Sequence, residues 1–149
     1  MTVVAVVDTN VWVSAFLNPD GFPARLILAG QRGHFSIVSS LPLLGELQEV
    51  LLRPRIMKIR HTTLADTEVF MDGVLAAVQL VPVAGVLRLC RDPDDDIILE
   101  TAIQGKAAFL VSRDGDMTRD LDLIHALRER GVETITVQRL LDHLHREHI

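Results

Sequence analysis

The chain has 149 residues, of which 48% are hydrophobic and 23% are charged, and its formal net charge is −5. This composition excludes a disordered or fibrous protein, and the length fits a single domain over residues 1–149 rather than two. The net acidity excludes a simple basic coat for nucleic acid, because that kind of binding requires a surplus of Lys and Arg.

Cys90 is the only cysteine, so neither an intramolecular disulfide nor a cysteine-rich metal site can form. A reducing, cytoplasmic compartment is therefore expected. The apolar run over residues 3–7 is too short for a signal sequence, and no stretch reaches the roughly 18 apolar residues of a membrane helix. We expect no association with a membrane.

Strands and helices alternate along the sequence. Residues 3–7 form a short β-branched run that predicts a buried parallel strand, with Asp8 at its carboxyl end. Further strands are expected over residues 35–39, 80–83, 107–112 and 132–137, and helices over 23–30, 40–53, 63–78, 92–105, 117–130 and 138–147. This alternation predicts an α/β fold with a mostly parallel sheet that is covered by helices on both faces.

Acidic residues follow the carboxyl ends of two expected strands, which is where ligands bind in open parallel sheets. Asp8 ends the first strand, and the pair Asp114 and Asp116 follows the strand over residues 107–112. Clustered carboxylates must hold protons or bind a cation, and oxygen donors suit Mg²⁺ or Mn²⁺ better than zinc. Such ions activate water and neutralise a phosphodiester, so phosphodiester hydrolysis is the expected reaction.

Four segments resemble the motifs of PIN-domain proteins, in the same order and over nearly the whole chain: residues 6–11, 44–47, 91–96 and 110–116. The chain is most similar to the VapC-like toxins of bacterial toxin–antitoxin systems. The resemblance implies a three-layer α/β/α sandwich, a four-carboxylate pocket for Mg²⁺ or Mn²⁺, and endoribonucleolytic cleavage of RNA. It also implies a homodimer that is silenced by a small antitoxin protein.

The resemblance also implies which residues form the site. The metal ligands and catalytic carboxylates would be Asp8, Glu46, Asp95 or Asp96, and Asp114, with Asp116 close by. Asp95 shares a helix face with apolar residues four and seven positions on, which favours it over Asp96. Glu46 adjoins apolar residues and is expected near the buried face, whereas Glu49 is expected at the surface. Ser112 stands where the family usually has Thr, which keeps the hydroxyl.

Several side chains near these carboxylates have two interpretations. Asn10 and Ser112 are candidates for orienting Asp8 and Asp114 through hydrogen bonds. A basic stretch could guide an RNA backbone or could be a solvated surface; it contains Arg53, Arg55, Lys58 and Arg60. Trp12 and Phe16 stand at helical spacing, which favours core or dimer packing over base stacking.

Structural and functional alternatives stay open at this point. Asp8 could simply cap a helix, the acidic run over residues 92–96 could be a favourable helix N-terminus, and residues 114–116 could be a tight turn. A phosphatase of the haloacid-dehalogenase type needs a second Asp two positions after Asp8, where this chain has Asn10. A non-catalytic PIN fold that binds RNA or protein is the other alternative, and the intact carboxylates argue against it.

Overall fold

A parallel β-sheet forms the centre of the molecule. The computed structural model describes residues 2–113 and 121–147. Within these residues the sheet has the order β3-β2-β1-β4-β5, and every neighbouring pair is parallel. Its strands are Val4–Val7 (β1), Ser36–Ser39 (β2), Val78–Leu80 (β3), Phe109–Ser112 (β4) and Glu133–Thr136 (β5).

Helices connect the strands and lie on both faces of the sheet. They are Thr9–Leu17 (α1), Phe22–Gln31 (α2), Leu41–Leu51 (α3), Pro54–Ile59 (α4), Leu64–Ala77 (α5), Pro93–Gln104 (α6), Leu121–Glu129 (α7) and Val137–Glu147 (α8). A proline occupies the first turn of α2, α3, α4 and α6, where its missing N–H has no helical partner to lose. Among the described helices, none combines the length and apolar character needed to cross a lipid bilayer.

Two hydrophobic cores lie on opposite sides of the sheet. Successive strand residues point to opposite faces, so Ala5 and Val7 enter one core while Val6 enters the other. The first core also contains Trp12 and Phe16 of α1, with residues of α2, α5 and α8, and the second contains residues of α6 and α7. The result is the expected three-layer α/β/α sandwich, and Trp12 and Phe16 are core residues, as expected.

Some element boundaries differ from those expected. The third strand is Val78–Leu80 rather than 80–83, because the chain leaves α5 at Ala77 and Val78 pairs with Ile37 of β2. Helix α4 was not anticipated inside the basic stretch, although Pro54 starts it. The expected start of the helix over 117–130 lies outside the described residues, as do Asp114 and Asp116.

Candidate active site

Asp8 lies at the carboxyl end of the central strand. Its backbone N–H donates to the Val111 carbonyl at 3.0 Å, which extends the pairing of β1 with β4. Asp8 occupies the N-cap position of α1, but its side chain makes no capping hydrogen bond. The residue is only 5% exposed. A simple capping role therefore does not account for this buried carboxylate, which stands between β1 and β4 where the strand order reverses direction.

The four aspartates at the start of α6 differ in burial and in hydrogen bonding. Asp92 is the N-cap, and its Oδ1 accepts a hydrogen bond of 2.9 Å from the Asp94 amide. Asp94 is exposed, whereas Asp95 and Asp96 are only 2% and 4% exposed. The helix dipole favours all of these charges, but burial sets Asp95 and Asp96 apart from a solvated acidic N-terminus.

Asp96 holds the end of the β3–α6 connection, which we define as residues 81–92. Its Oδ1 accepts hydrogen bonds from the amides of Leu89 at 2.9 Å and Cys90 at 2.8 Å. Burial opposes ionisation of Asp96, but these hydrogen bonds outweigh it and, with the nearby charge of Arg88, lower the pKa of the carboxyl below its ordinary value. Asp96 is therefore ionised at neutral pH, and its carboxylate holds the backbone of the connection in place.

Glu100 holds the beginning of the same connection. Its two carboxylate oxygens accept hydrogen bonds from the amides of Ala84 at 2.6 Å and Gly85 at 3.2 Å. Glu100 lies four positions after Asp96, so both side chains project from one side of α6. Two carboxylates of one helix thus anchor both ends of an irregular segment, a role that the sequence analysis did not identify.

The thiol of Cys90 is not a reactive group. Burial raises the pKa of Cys90 to about 12, and the negative charges of Asp96, Asp95 and Asp122 contribute further. A thiol with this pKa remains protonated at neutral pH, and only the thiolate is nucleophilic. Cysteine chemistry therefore plays no part in this site.

Glu46 lines a cavity of about 330 Å³ between α3 and α6 that we call the acidic cavity. Its other polar lining residues are Glu49, Arg53 and Asp94. Glu46 is exposed, contrary to the expectation that it lies near the buried face, because Leu43, Leu44 and Leu47 occupy the inward positions of α3. Glu49 is also exposed, as expected, and its Oε1 pairs with Arg53 Nη2 at 3.4 Å.

A buried pair of hydroxyl groups fixes α3 against α6. Ser40 Oγ and Thr101 Oγ1 are 2.8 Å apart, and both residues are fully buried. The Thr101 hydroxyl donates its single proton to the Ile97 carbonyl at 2.8 Å, so Ser40 must be the donor to Thr101. This contact sets the relative position of the helices that carry Glu46 and Asp95.

The remaining candidate residues occupy more varied positions. Ser112 is buried at the end of β4, next to β1, whereas Asn10 is exposed in the first turn of α1. Arg60 Nη1 donates a hydrogen bond of 2.6 Å to the Phe16 carbonyl, which gives it a structural role. Arg55 and Lys58 are exposed on α4.

Comparison with known proteins identifies the family. A PIN domain model matches residues 4–116, which is most of the chain and includes Asp8, Glu46 and Asp95. The chain belongs to the PIN domain family. PIN domains have a nuclease-type fold, act on RNA or other nucleic acids and usually use divalent metal ions. An uncharacterized protein of Methanocaldococcus jannaschii is 27% identical over 126 residues, which cover 85% of this chain and 76% of that protein.

The oxygen donors of this PIN domain are of the type that Mg²⁺ or Mn²⁺ requires. Asp8 and Asp95 are buried carboxylates, and α6 packs against both β1 and α3. Across residues 2–113 and 121–147, no three His, Cys, Asp or Glu side chains are grouped closely enough to hold a metal ion. Asp114 and Asp116, which the resemblance adds to the set, lie outside these residues. The chemistry of these oxygen donors fits a hard cation, and Asp8, Glu46 and Asp95 are the residues of the expected set that the structure describes.

Proposed function

We propose that this PIN domain is a Mg²⁺- or Mn²⁺-dependent endoribonuclease. The observation that carries the proposal is the burial of Asp8 and Asp95 near the sheet edge that binds ligands in parallel α/β folds, within a family of nuclease-type fold. When bound, the cation supplies an activated water and neutralises charge on the phosphodiester.

The carboxylates have different proposed roles. Asp8, on the rigid end of β1, is the central ligand, and Asp95 reaches it from α6. Glu46 contributes from the wall of the acidic cavity, and Asp114, with its sequence neighbour Asp116, completes the proposed set. Because Asp96 Oδ1 already accepts two amide hydrogen bonds, Asp95 is favoured over Asp96 as the α6 ligand.

The basic residues around the acidic cavity support an RNA substrate. Arg53 lines the cavity together with Glu46, so its guanidinium can contact a phosphate next to the one bound at the carboxylates. Arg55 and Lys58 extend this positive surface along α4 and can attract the backbone from solution. Arg60 contributes less because its guanidinium binds the Phe16 carbonyl.

The experiment is a cleavage assay on a labelled single-stranded RNA with Mn²⁺, with and without EDTA. Wild type is expected to cut the RNA internally, and EDTA is expected to stop the reaction. Asp8→Asn keeps the shape of the side chain but removes the charge that holds the cation, so cleavage should fall by about 100-fold or more. The matched control is Asp72→Asn, which removes an exposed Asp on α5 and should cut like wild type.

Two outcomes would contradict the proposal. Equal cleavage by wild type and Asp8→Asn would mean that the nuclease activity comes from another source. Absence of cleavage with Mg²⁺ and with Mn²⁺, together with RNA binding that is unchanged in Asp8→Asn, would favour the non-catalytic PIN fold instead. The phosphatase alternative lacks its second carboxylate because Asn10 stands at that position.

We further propose that the protein is the cytoplasmic toxin of a toxin–antitoxin pair and acts as a homodimer. The similarity of its motifs to VapC-like toxins supports this role. Expression of the wild-type chain alone should arrest growth, and Asp8→Asn should not. Co-expression with the product of a short adjacent gene should restore growth and yield a complex by gel filtration, and the mass of the free protein by light scattering should be that of a dimer.

A further inference from the structure

A second cavity, of about 420 Å³, lies between α1, α2 and the start of α8. Its polar lining residues are Ser14, Asn18, Arg113 and Gln138, and its apolar wall includes Phe22. We call it the α1–α8 cavity. Its volume is within the range of pockets that hold small organic ligands, and among the described residues its lining does not include Asp8, Glu46, Asp95 or Asp96.

The α1–α8 cavity adjoins the strand that pairs with β1, the strand that ends at Asp8. Arg113 immediately follows Ser112 at the carboxyl end of β4, and β4 is bound to β1 as far as the hydrogen bond from the Asp8 amide to Val111. The acidic cavity lies between α3 and α6, whereas α1 and α8 enclose the second cavity. Pro42 and Leu43 of the acidic cavity follow β2, and Arg113 follows β4, so the two cavities flank the carboxyl end of β1, which lies between those strands.

The lining of the α1–α8 cavity combines three kinds of group that recognise a nucleotide. Phe22 is 48% exposed although it is aromatic, and the guanidinium of Arg25, which does not line the cavity, lies over one face of its ring at 5.2 Å from the ring centre. Asn18 and Gln138 present side-chain amides, each with both donors and an acceptor. Arg113 is an exposed cation. A base can stack on the aromatic ring, form hydrogen bonds with the amides and leave its phosphate near the arginine.

Few hydrogen bonds join the polar side chains of this cavity to other residues that the structure describes. Within the part of the chain that the structure describes, the side chains of Ser14, Gln138 and Arg113 make no hydrogen bond or ion pair with another residue. Asn18 Oδ1 accepts a hydrogen bond of 3.3 Å from the Asp20 amide, and the side-chain amide also carries two donors at Nδ2.

We propose that the α1–α8 cavity is a base-binding subsite for a nucleotide of single-stranded RNA adjacent to the cleaved phosphodiester. This inference rests on the proposed ribonuclease function, and it assigns sequence preference to Phe22, Asn18 and Gln138. Stacking on Phe22 provides affinity for any base. The two amides discriminate among bases, because a hydrogen bond to a base edge is lost when the wrong base is present.

The first test measures binding without cleavage. Fluorescence anisotropy of labelled hexaadenylate and hexauridylate is recorded with the full-length Asp8→Asn protein, alone and combined with Phe22→Ala or Phe22→Trp. Loss of a stacking platform should raise Kd by about fivefold or more, and Trp should restore binding. The matched control is Leu64→Ala, which shortens another exposed apolar side chain, 56% exposed on α5, and should leave Kd within about twofold of its parent.

The second test measures the preference for one base over another and the contribution of the Arg113 charge to RNA binding. Gln138→Ala should change the ratio of Kd for hexaadenylate to Kd for hexauridylate by about threefold or more, because the amide reads the base edge. Arg113→Gln should weaken the binding of both RNAs by the same factor. It should also reduce the slope of log Kd against log salt concentration by about one. In the cleavage assay, Phe22→Ala should raise KM more than it lowers kcat, because Phe22 does not touch the reacting atoms.

The outcomes separate this inference from the proposed function. Unchanged RNA binding by Phe22→Ala, or no RNA binding by the parent protein, overturns the subsite. If wild type cuts RNA but Phe22→Ala has the same Kd and KM, the ribonuclease function stands and the subsite is wrong. If no RNA is cut but binding still depends on Phe22 and Gln138, the cavity is a base-binding site and the ribonuclease function is wrong.

Discussion

Replacing Asp96 by Ala removes the acceptor of two backbone amides and releases one end of the β3–α6 connection. Hydrogen bonds to a charged group contribute about 1.5–3 kcal/mol each. Leu89 is exposed, so water can partly replace the lost bond at its amide after the substitution. We therefore expect Asp96→Ala to lower the free energy of unfolding by about 2–4 kcal/mol.

Asp96→Asn is a milder change because it keeps an oxygen at the position of Oδ1. The same atom accepts both amide hydrogen bonds, at 2.9 and 2.8 Å, so an amide oxygen can retain them without the charge. Neutral hydrogen bonds contribute about 0.5–1.5 kcal/mol each, so roughly half of the loss in Asp96→Ala should be recovered. Comparing Asp96→Ala with Asp96→Asn therefore separates the contribution of the hydrogen-bond acceptor to stability from that of its negative charge.

Urea denaturation of wild type, Asp96→Ala, Asp96→Asn and Asp95→Asn measures the effect, and calorimetric titration with Mn²⁺ measures cation binding. Asp95→Asn should weaken Mn²⁺ binding by about tenfold or more and cost less stability than Asp96→Ala. The structural role of Asp96 would be refuted if the free energy of unfolding of Asp96→Ala were within about 0.5 kcal/mol of the wild-type value. It would also be refuted if Asp96→Asn weakened Mn²⁺ binding while Asp95→Asn did not.

Three further substitutions test the fold itself. Leu47→Ala opens a cavity at a residue that is 1% exposed, and it should lower the free energy of unfolding in urea by about 2–5 kcal/mol. Gly105→Ala should lower the melting temperature, since its new Cβ would lie 2.7 Å from Cγ2 of the buried Val38. Hydrogen bonds from the Thr63 amide and hydroxyl lower the pKa of Asp66 below its ordinary value of 3.8, so its stabilising effect is present above that pH and lost below it. Asp66→Asn should therefore be less stable than wild type in urea at neutral pH, and the difference should shrink in acid.

Features that depend on neighbouring residues were predictable from the sequence. The strand before Asp8 follows from a β-branched run, and the expected start of a helix at residue 63 is confirmed by the capping box that Thr63 and Asp66 form. The parallel α/β arrangement follows from the alternation of strands and helices. The first two signals are contained within a few consecutive residues and the third is the order of elements along the chain, so none of them requires tertiary contacts to be known.

The roles of individual carboxylates were not predictable to the same degree. Asp95 and Asp96 are adjacent and both are buried, so helix periodicity alone does not distinguish them. The distinction comes from the amides of the β3–α6 connection, which has no periodic pattern. The position of Glu46 depends on how α3 meets α6, and that is set by the contact of Ser40 with Thr101, 61 residues away in sequence.

The position of β1 in the sheet has a consequence during protein synthesis. β1 is made first, yet it pairs on one side with β4, where Val7 lies beside Val111, 104 residues later in the sequence. At a synthesis rate of about 5–20 residues per second, the ribosome needs roughly 5–20 s to make that partner. Asp8 therefore leaves the ribosome well before the strand that completes its surroundings. The proposed site should therefore stay incomplete in the nascent chain until the last third of the sequence has been translated.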